Sequence, residues 1–113
     1  MDAAAQTLRS ACEPFKGQAP DMVFACAGAS LPGFFTRVGA SEHLRAMHTN
    51  FASAIGTTHE AVRLMCEQER RGAKVVFTAS ILAMMGFAGY STYAPSKYAI
   101  RGTCATIRFR SSS

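Results

Sequence analysis

Three side chains in this 113-residue sequence have the types and spacing to move a proton together. Ser80 follows the apolar run Val75-Val76-Phe77-Thr78-Ala79, and thirteen residues later comes Tyr93-Ala94-Pro95-Ser96-Lys97. Tyrosine and lysine four apart share one helix face, so the phenol and the ammonium point the same way. A serine at the carboxyl end of a strand, facing that pair, makes a site for proton transfer to a carbonyl oxygen. On its own, Tyr-x-x-x-Lys also describes an ordinary surface pair.

The elements that must hold these groups can be read in order. Residues 2–14 suit a short helix with Ala3, Ala4, Leu8 and Cys12 on one side, ended by Gly17 and Pro20. Met22-Val23-Phe24-Ala25-Cys26, bounded by Pro20 and Gly28, reads as a strand buried on both faces. Ala27-Gly28-Ala29-Ser30 then reads as a tight turn of small residues, and 31–39 as an apolar loop carrying Phe34 and Phe35. Ser41 is the expected N-cap of a long helix, with Glu42 at the positive end of its dipole. A 3.6-residue stripe follows at positions 44, 47, 51, 54, 55, 58, 61, 62, 65 and 66. Arg70, Arg71 and Gly72 provide a cationic last turn and a C′ glycine. Gly56 and Asn50 in the middle predict a local irregularity in that helix. Lys74 to Ala79 is the second buried strand, 80–90 a glycine-containing loop, and the last helix runs from Ser91 or Thr92 to about Arg108. Strand, helix, strand, helix is a βαβ unit, which requires parallel strands. The class is α/β, and a two-strand parallel sheet leaves faces and edges unfinished.

Composition narrows the function classes. With 49% apolar and 17% charged residues, the chain can build a core but has little charge to cover a free surface. The net charge of +5 comes from scattered Lys and Arg with no basic run interleaved with aromatics, which argues against nucleic-acid binding. Cys12, Cys26, Cys66 and Cys104 form no Cys-x-x-Cys pair, and His43, His48 and His59 form no metal-ligand spacing with them. They read as reduced, mostly buried thiols, and no metal site is expected. No apolar run approaches 20 residues and no signal peptide is visible, so neither a membrane span nor an export leader is expected here.

Three further features coincide with the Tyr-Lys pair: Ser80 at a strand end, Cys26-Ala27-Gly28 after the preceding strand, and Asn50 inside the intervening helix. Together these resemble the short-chain dehydrogenase/reductase family over about residues 20–102, with 103–113 a divergent tail of a single partial domain. The implied fold is an incomplete Rossmann-like, doubly wound parallel sheet with flanking helices. Within the family the likeness is to 3-ketodihydrosphingosine (3-dehydrosphinganine) reductases, fungal ones especially. It is carried by Val23-Phe24-Ala25-Cys26-Ala27-Gly28-Ala29-Ser30 and by the run from Phe87 to Gly102. The resemblance implies that Tyr93 protonates the substrate carbonyl oxygen and that Lys97 assists it and holds the nicotinamide ribose. It implies that Ser80 hydrogen-bonds the carbonyl and that Asn50 anchors a water leading from the lysine to solvent. Read blandly, Asn50 is a satisfied polar group. Ala27 and Gly28 would let backbone approach the cofactor, or simply make a tight turn. Leu31, Phe34, Phe35, Met84, Met85 and Phe87 would flank the site as a cleft for a long apolar chain, or serve as core.

The departures from that family matter as much as the matches. Its Thr-Gly-x-x-x-Gly-x-Gly turn, which carries the cofactor diphosphate at a helix N-terminus, has no counterpart among the glycines here. The asparagine expected to open the Asn-x-Ala-Gly turn is Ala25. After Gly102 the expected helix continuation, later strands and substrate lid do not follow. The resemblance therefore implies an NADPH-dependent reduction of a lipid ketone, at the cytosolic face of the endoplasmic reticulum, for a protein of which this chain is a fragment. The isolated chain is expected neither to bind NADPH tightly nor to turn over. Any membrane association would come through the missing segments. Another carbonyl substrate, or a non-catalytic interaction module using the exposed half-sheet, are the alternatives.

Overall fold

The computed structural model describes residues 3–107. Its ordered elements are α1 (Ala3–Cys12), β1 (Met22–Ala25), α2 (Ala40–Met47), α3 (Ser53–Glu67), β2 (Lys74–Phe77) and α4 (Ala94–Thr106). β1 and β2 pair in parallel, with Met22 opposite Lys74 and Ala25 opposite Phe77. The α/β class and the βαβ connection are as the sequence predicts. Thr78 N–H adds one more rung to Ala25 O at 3.2 Å, so Ser80 sits three residues beyond the strand proper.

The sheet is not buried on both faces. Residues alternate exposed and half-buried along each strand. One face carries Val23, Ala25, Val75 and Phe77, and α3 packs against β1. The other face leaves Met22, Phe24 and Val76 exposed at 45%, 63% and 40%. An apolar run on a strand marks two faces that can be covered, and no further described element covers the second.

The long helical segment is broken as its composition suggests. Between α2 and α3 lies a π turn, His48–Ala52, where Ser53 N–H reaches back to His48 O. Asn50 lies inside it, 1% exposed. A π turn inserts one extra residue and so redirects the side chain it carries. The start differs from expectation: Gly39, not Ser41, is the N-cap, and its N–H donates to the Glu42 carboxylate at 3.2 Å. The end differs too, because α3 stops at Glu67 rather than near Arg71, and Glu69 adopts φ +50°. Gln68 explains the early stop. Its Oε1 accepts from Ala19 N–H at 2.8 Å and its Nε2 donates to Gly17 O at 2.9 Å, bonds to a segment some fifty residues away. Arg70 adds an ion pair to Asp21.

The stripe on α3 narrows to Ala54, Thr58, Ala61 and Met65, which are buried, whereas Leu44 and Cys66 are exposed. α1 packs on α3 through Ala5 and Cys12, with Ala3 exposed. Cys12 is the one buried thiol of the four; Cys26, Cys66 and Cys104 are exposed, against the expectation of mostly buried cysteines. The thiols follow the thin core. α4 begins at Ala94, two or three residues later than predicted, because Thr92 is held outside the helix by donating its hydroxyl to Leu31 O. The predicted end near Arg108 lies outside the described residues.

Candidate active site

Tyr93 is the N-cap of α4 at φ −95°, ψ −49°, and Pro95 occupies the first turn, where its missing N–H costs nothing. Tyr93 N–H and Ala94 N–H both bond Tyr90 O, at 3.1 and 2.8 Å, so a tight turn aims the helix start. One turn on, Lys97 reaches inward. Its side chain is 3% exposed, its Nζ donates to Thr78 O at 2.8 Å, and Nζ lies 5.4 Å from the centroid of the Tyr93 ring. That places the ammonium over the phenol in cation–π range. The structure thus brings together the tyrosine and lysine that the spacing paired.

The ammonium is under-satisfied. A lysine carries three donors, and a buried charge is costly unless paired. Lys97 has one carbonyl, and no carboxylate forms an ion pair with it among the described residues. Two N–H bonds remain to be made. The Tyr93 phenol, half-buried, makes no side-chain hydrogen bond among the described residues.

Ser80 stands at the head of the 3₁₀ turn Ile81–Ala83, half-buried, and its Oγ accepts from Leu82 N–H at 3.2 Å. That bond leaves its hydroxyl proton free to donate. Arg101, one turn beyond Lys97, donates to Ala83 O at 3.2 Å and ties this turn to α4. No hydrogen bond joins Ser80 to Tyr93 among the described residues.

Asn50 is joined to the segment after β1 rather than to Lys97. Its Oδ1 accepts from Ala29 N–H at 2.7 Å and its Nδ2 donates to Ala29 O at 2.9 Å and to Ser96 Oγ at 3.1 Å. Residues 26–30 form an irregular, exposed connection rather than the tight turn expected from their small side chains. Gly28 is required there: a Cβ would stand 2.8 Å from Asn50 Oδ1 and 3.8 Å from Lys97 Nζ. Ala27 and Gly28 remain exposed, so the backbone beside the lysine is open to a ligand.

These features fit the ribose end of a nicotinamide nucleotide. A buried ammonium with two unused donors lies near an exposed backbone that carries no side chain at Gly28. They do not fit its diphosphate, for which no glycine-rich helix start occurs in the sequence.

Beside the site, Gly33 N–H donates to Gly89 O at 2.7 Å, and Gly33 bridges to Tyr90 in parallel. This stitches the 31–39 loop to the segment leading into Tyr93. An open cleft of about 430 Å³ lies along that seam, lined by Phe34, Phe35, Phe87, Tyr90, Ala94 and Tyr98 among others. Its size falls within the range of small-molecule sites. Phe34, Phe35 and Phe87 line this cleft, whereas Leu31, Met84 and Met85 do not. Ser80, Tyr93 and Lys97 are not part of it either. The cleft lining includes Ser91 and Ala94, close to Tyr93 in the chain.

Two residues with structural claims on the site carried no signal in the sequence. Ser96 and Thr92 are 0% and 1% exposed, and both are held by hydrogen bonds rather than by apolar contact. Small hydroxyl residues at a helix start ordinarily read as caps.

Comparison with known proteins follows the same lines. The profile of the short chain dehydrogenase family matches residues 1–112. A 3-ketodihydrosphingosine reductase of Cryptococcus neoformans is 40% identical over 106 residues, covering 94% of this chain and 31% of that protein. One from Dictyostelium discoideum is 33% identical over 103 residues, covering 91% of this chain and 31% of that protein. Among solved structures, LigO from Sphingobium superposes with a TM-score of 0.84 at 25% identity, over 92% of this chain and 37% of LigO. NAD+-bound xylitol dehydrogenase gives a TM-score of 0.79 at 25% identity, over 88% of this chain and 37% of its own. The chain spans about a third of the length of the curated relatives it matches.

Proposed function

This chain belongs to the short chain dehydrogenase family, and from that premise we propose that it is the proton-transfer half of an NADPH-dependent reductase for a long-chain lipid ketone of the 3-ketodihydrosphingosine type. The observation that carries the reading is the Lys97 ammonium, 3% exposed, with one carbonyl partner and the Tyr93 ring 5.4 Å away. A buried, under-satisfied charge beside an unbonded phenol is an arrangement with a chemical use and a structural cost.

The chemistry supplied by a bound nicotinamide is delivery of hydride to the ketone carbon. The chain's own residues handle the oxygen. Tyr93 gives its proton to the carbonyl oxygen as a general acid. Lys97 sets its positive charge beside the phenol, 5.4 Å from the ring centroid, and its two remaining donors would hold ribose hydroxyls. Ser80 donates its free hydroxyl proton to the same carbonyl oxygen, stabilising the developing negative charge. Asn50 holds the backbone at Gly28 and Ala29 beside the lysine and, by the family likeness, anchors a water on the proton's way to solvent. Ala27 and Gly28 present bare backbone to the cofactor. The apolar cleft of Phe34, Phe35 and Phe87 takes the start of the alkyl chain.

The diphosphate-binding turn is not within these residues, so the 113-residue chain by itself neither binds NADPH tightly nor turns over. The names of the relatives support sphingolipid synthesis as the setting; the cytosolic face of the endoplasmic reticulum rests on the family likeness alone. No helix among the described residues is long and apolar enough to cross a membrane. A second reading, a non-catalytic module that docks through its half-sheet, is favoured by the exposure of Met22, Phe24 and Val76.

A chimera separates the two readings. This chain replaces the matching 106-residue segment of the Cryptococcus reductase, and NADPH consumption is followed with 3-ketodihydrosphingosine. The proposal expects substrate-dependent consumption. A folded chimera that binds NADPH yet leaves the ketone unreduced contradicts it.

A further inference from the structure

Ser96 is fully buried, one residue before Lys97, yet its hydroxyl packs against polar groups. Its Oγ donates to Tyr93 O at 2.6 Å and accepts from Asn50 Nδ2 at 3.1 Å. A hydroxyl has one proton. With that proton committed to the Tyr93 carbonyl, only lone pairs face Asn50, which must therefore present its NH2. The same orientation lets Asn50 Oδ1 accept from Ala29 N–H and Nδ2 donate to Ala29 O. Both protons of the Asn50 amide are thereby used, and every bond in the chain has one consistent direction.

The path is short and continuous. It runs from the Gly28–Ala29 backbone through the Asn50 amide and the Ser96 hydroxyl to the carbonyl of Tyr93. That carbonyl also receives Ser96 N–H at 3.1 Å and Lys97 N–H at 3.3 Å, so it is the anchor of the first turn of α4. Lys97 Nζ comes near the same backbone, 3.8 Å from where a Gly28 Cβ would stand. We propose that Ser96 is a positioning residue: its hydroxyl is the joint that fixes the Tyr93 end of α4 to the Asn50–Ala29 unit, and so sets where the phenol stands. It is not a catalytic residue, since its side chain is wholly enclosed and turned away from solvent.

The significance of this joint rests on the catalytic reading of Tyr93, but its test needs no turnover. The full 113-residue chain is labelled with 15N and with 13C-tyrosine, and compared with S96A, S96C and S96T by NMR. Loss of one buried hydrogen bond is expected to speed exchange of the Asn50 side-chain amide and of Ala29 N–H about five- to ten-fold in S96A and S96C. The Tyr93 ring signal shifts in both, while that of Tyr98, on the same helix, stays in place. S96T, which keeps the hydroxyl, restores both signals. N50A moves the Tyr93 ring in the presence of Ser96 and has little further effect in S96A. Unchanged Asn50 exchange in S96A or S96C, or a Tyr93 shift from N50A that is equal with and without Ser96, overturns the proposal. If S96A and S96C do not fold, Ala29 N–H exchange and the Tyr93 ring signal are read in S96T, which keeps the hydroxyl that bonds Tyr93 and Asn50 in the unsubstituted chain: both close to those of the unsubstituted chain support the hydroxyl's role, and both displaced overturn it. A failed joint leaves the catalytic reading of Tyr93 standing, and an inactive chimera leaves the joint standing.

Discussion

The side-chain amide of Asn50 pairs both ways with the backbone of Ala29, N–H to Oδ1 at 2.7 Å and Nδ2 to carbonyl at 2.9 Å, as a neighbouring strand would. Asn50 can do this because the π turn His48–Ala52 brings it to the buried side of an otherwise regular helix. Removing the amide takes the side-chain partners from Ala29 N–H and C=O and removes the donor to Ser96 Oγ, which keeps its bond to Tyr93 O. N50A is expected to lower stability by about 1–3 kcal/mol, measured by chemical denaturation against the wild-type chain. N50L, equally bulky and apolar, fares no better if hydrogen bonding is what matters.

Gly28 depends on the same amide. A methyl group at 28 would stand 2.8 Å from Asn50 Oδ1, closer than packed atoms approach. G28A is expected to destabilise by about 1–3 kcal/mol through overpacking. In an N50A background the penalty falls sharply, since the obstructing oxygen is gone. Additive effects in that double-mutant cycle contradict the contact.

Much of this site is legible in the sequence, for physical reasons. Tyr93 and Lys97 are one helical turn apart, so local geometry alone brings them together. The irregularity around Asn50 shows in the sequence as a polar residue and a glycine within an apolar stripe, both of which disfavour an ideal rod. Non-local hydrogen bonds were not legible. Gln68 ends α3 early by reaching the backbone at 17–19, overriding the stop written locally as Arg70, Arg71 and Gly72. Thr92 delays α4 by bonding Leu31, sixty-one residues away. Nor does an apolar run disclose whether a covering element is present, which is why Phe24 and Val76 were expected inside and stand exposed.

Lys97 separates stability from function. Its ammonium is buried against a single carbonyl, a situation that costs folding free energy. K97M fills the same space without the charge. The chain is expected to keep or raise its thermal midpoint, while the chimera with the Cryptococcus reductase loses about 100-fold or more in kcat/KM. A large loss of stability in K97M identifies the lysine as structural instead.

The cleft beside the site makes a residue-level distinction. Phe87 lines it and Met84 does not, although the two are three residues apart and both are exposed. In the chimera, F87S is expected to weaken the preference for long over short alkyl ketones by about ten-fold, the worth of one or two buried methylenes. M84S leaves that preference unchanged. Equal effects of both, or none from F87S, remove the cleft from the substrate's path.

The central claim is that the Tyr93 phenol, held beside Lys97, supplies the proton. Its most direct test is the chimera carrying Tyr93→Phe, which deletes one oxygen and leaves the ring packed under the ammonium. The expected result is a fall in kcat/KM of about 10²- to 10⁴-fold, with NADPH affinity and thermal midpoint close to those of the unsubstituted chimera. Ketone reduction by Y93F at a rate close to that of the unsubstituted chimera would contradict the account.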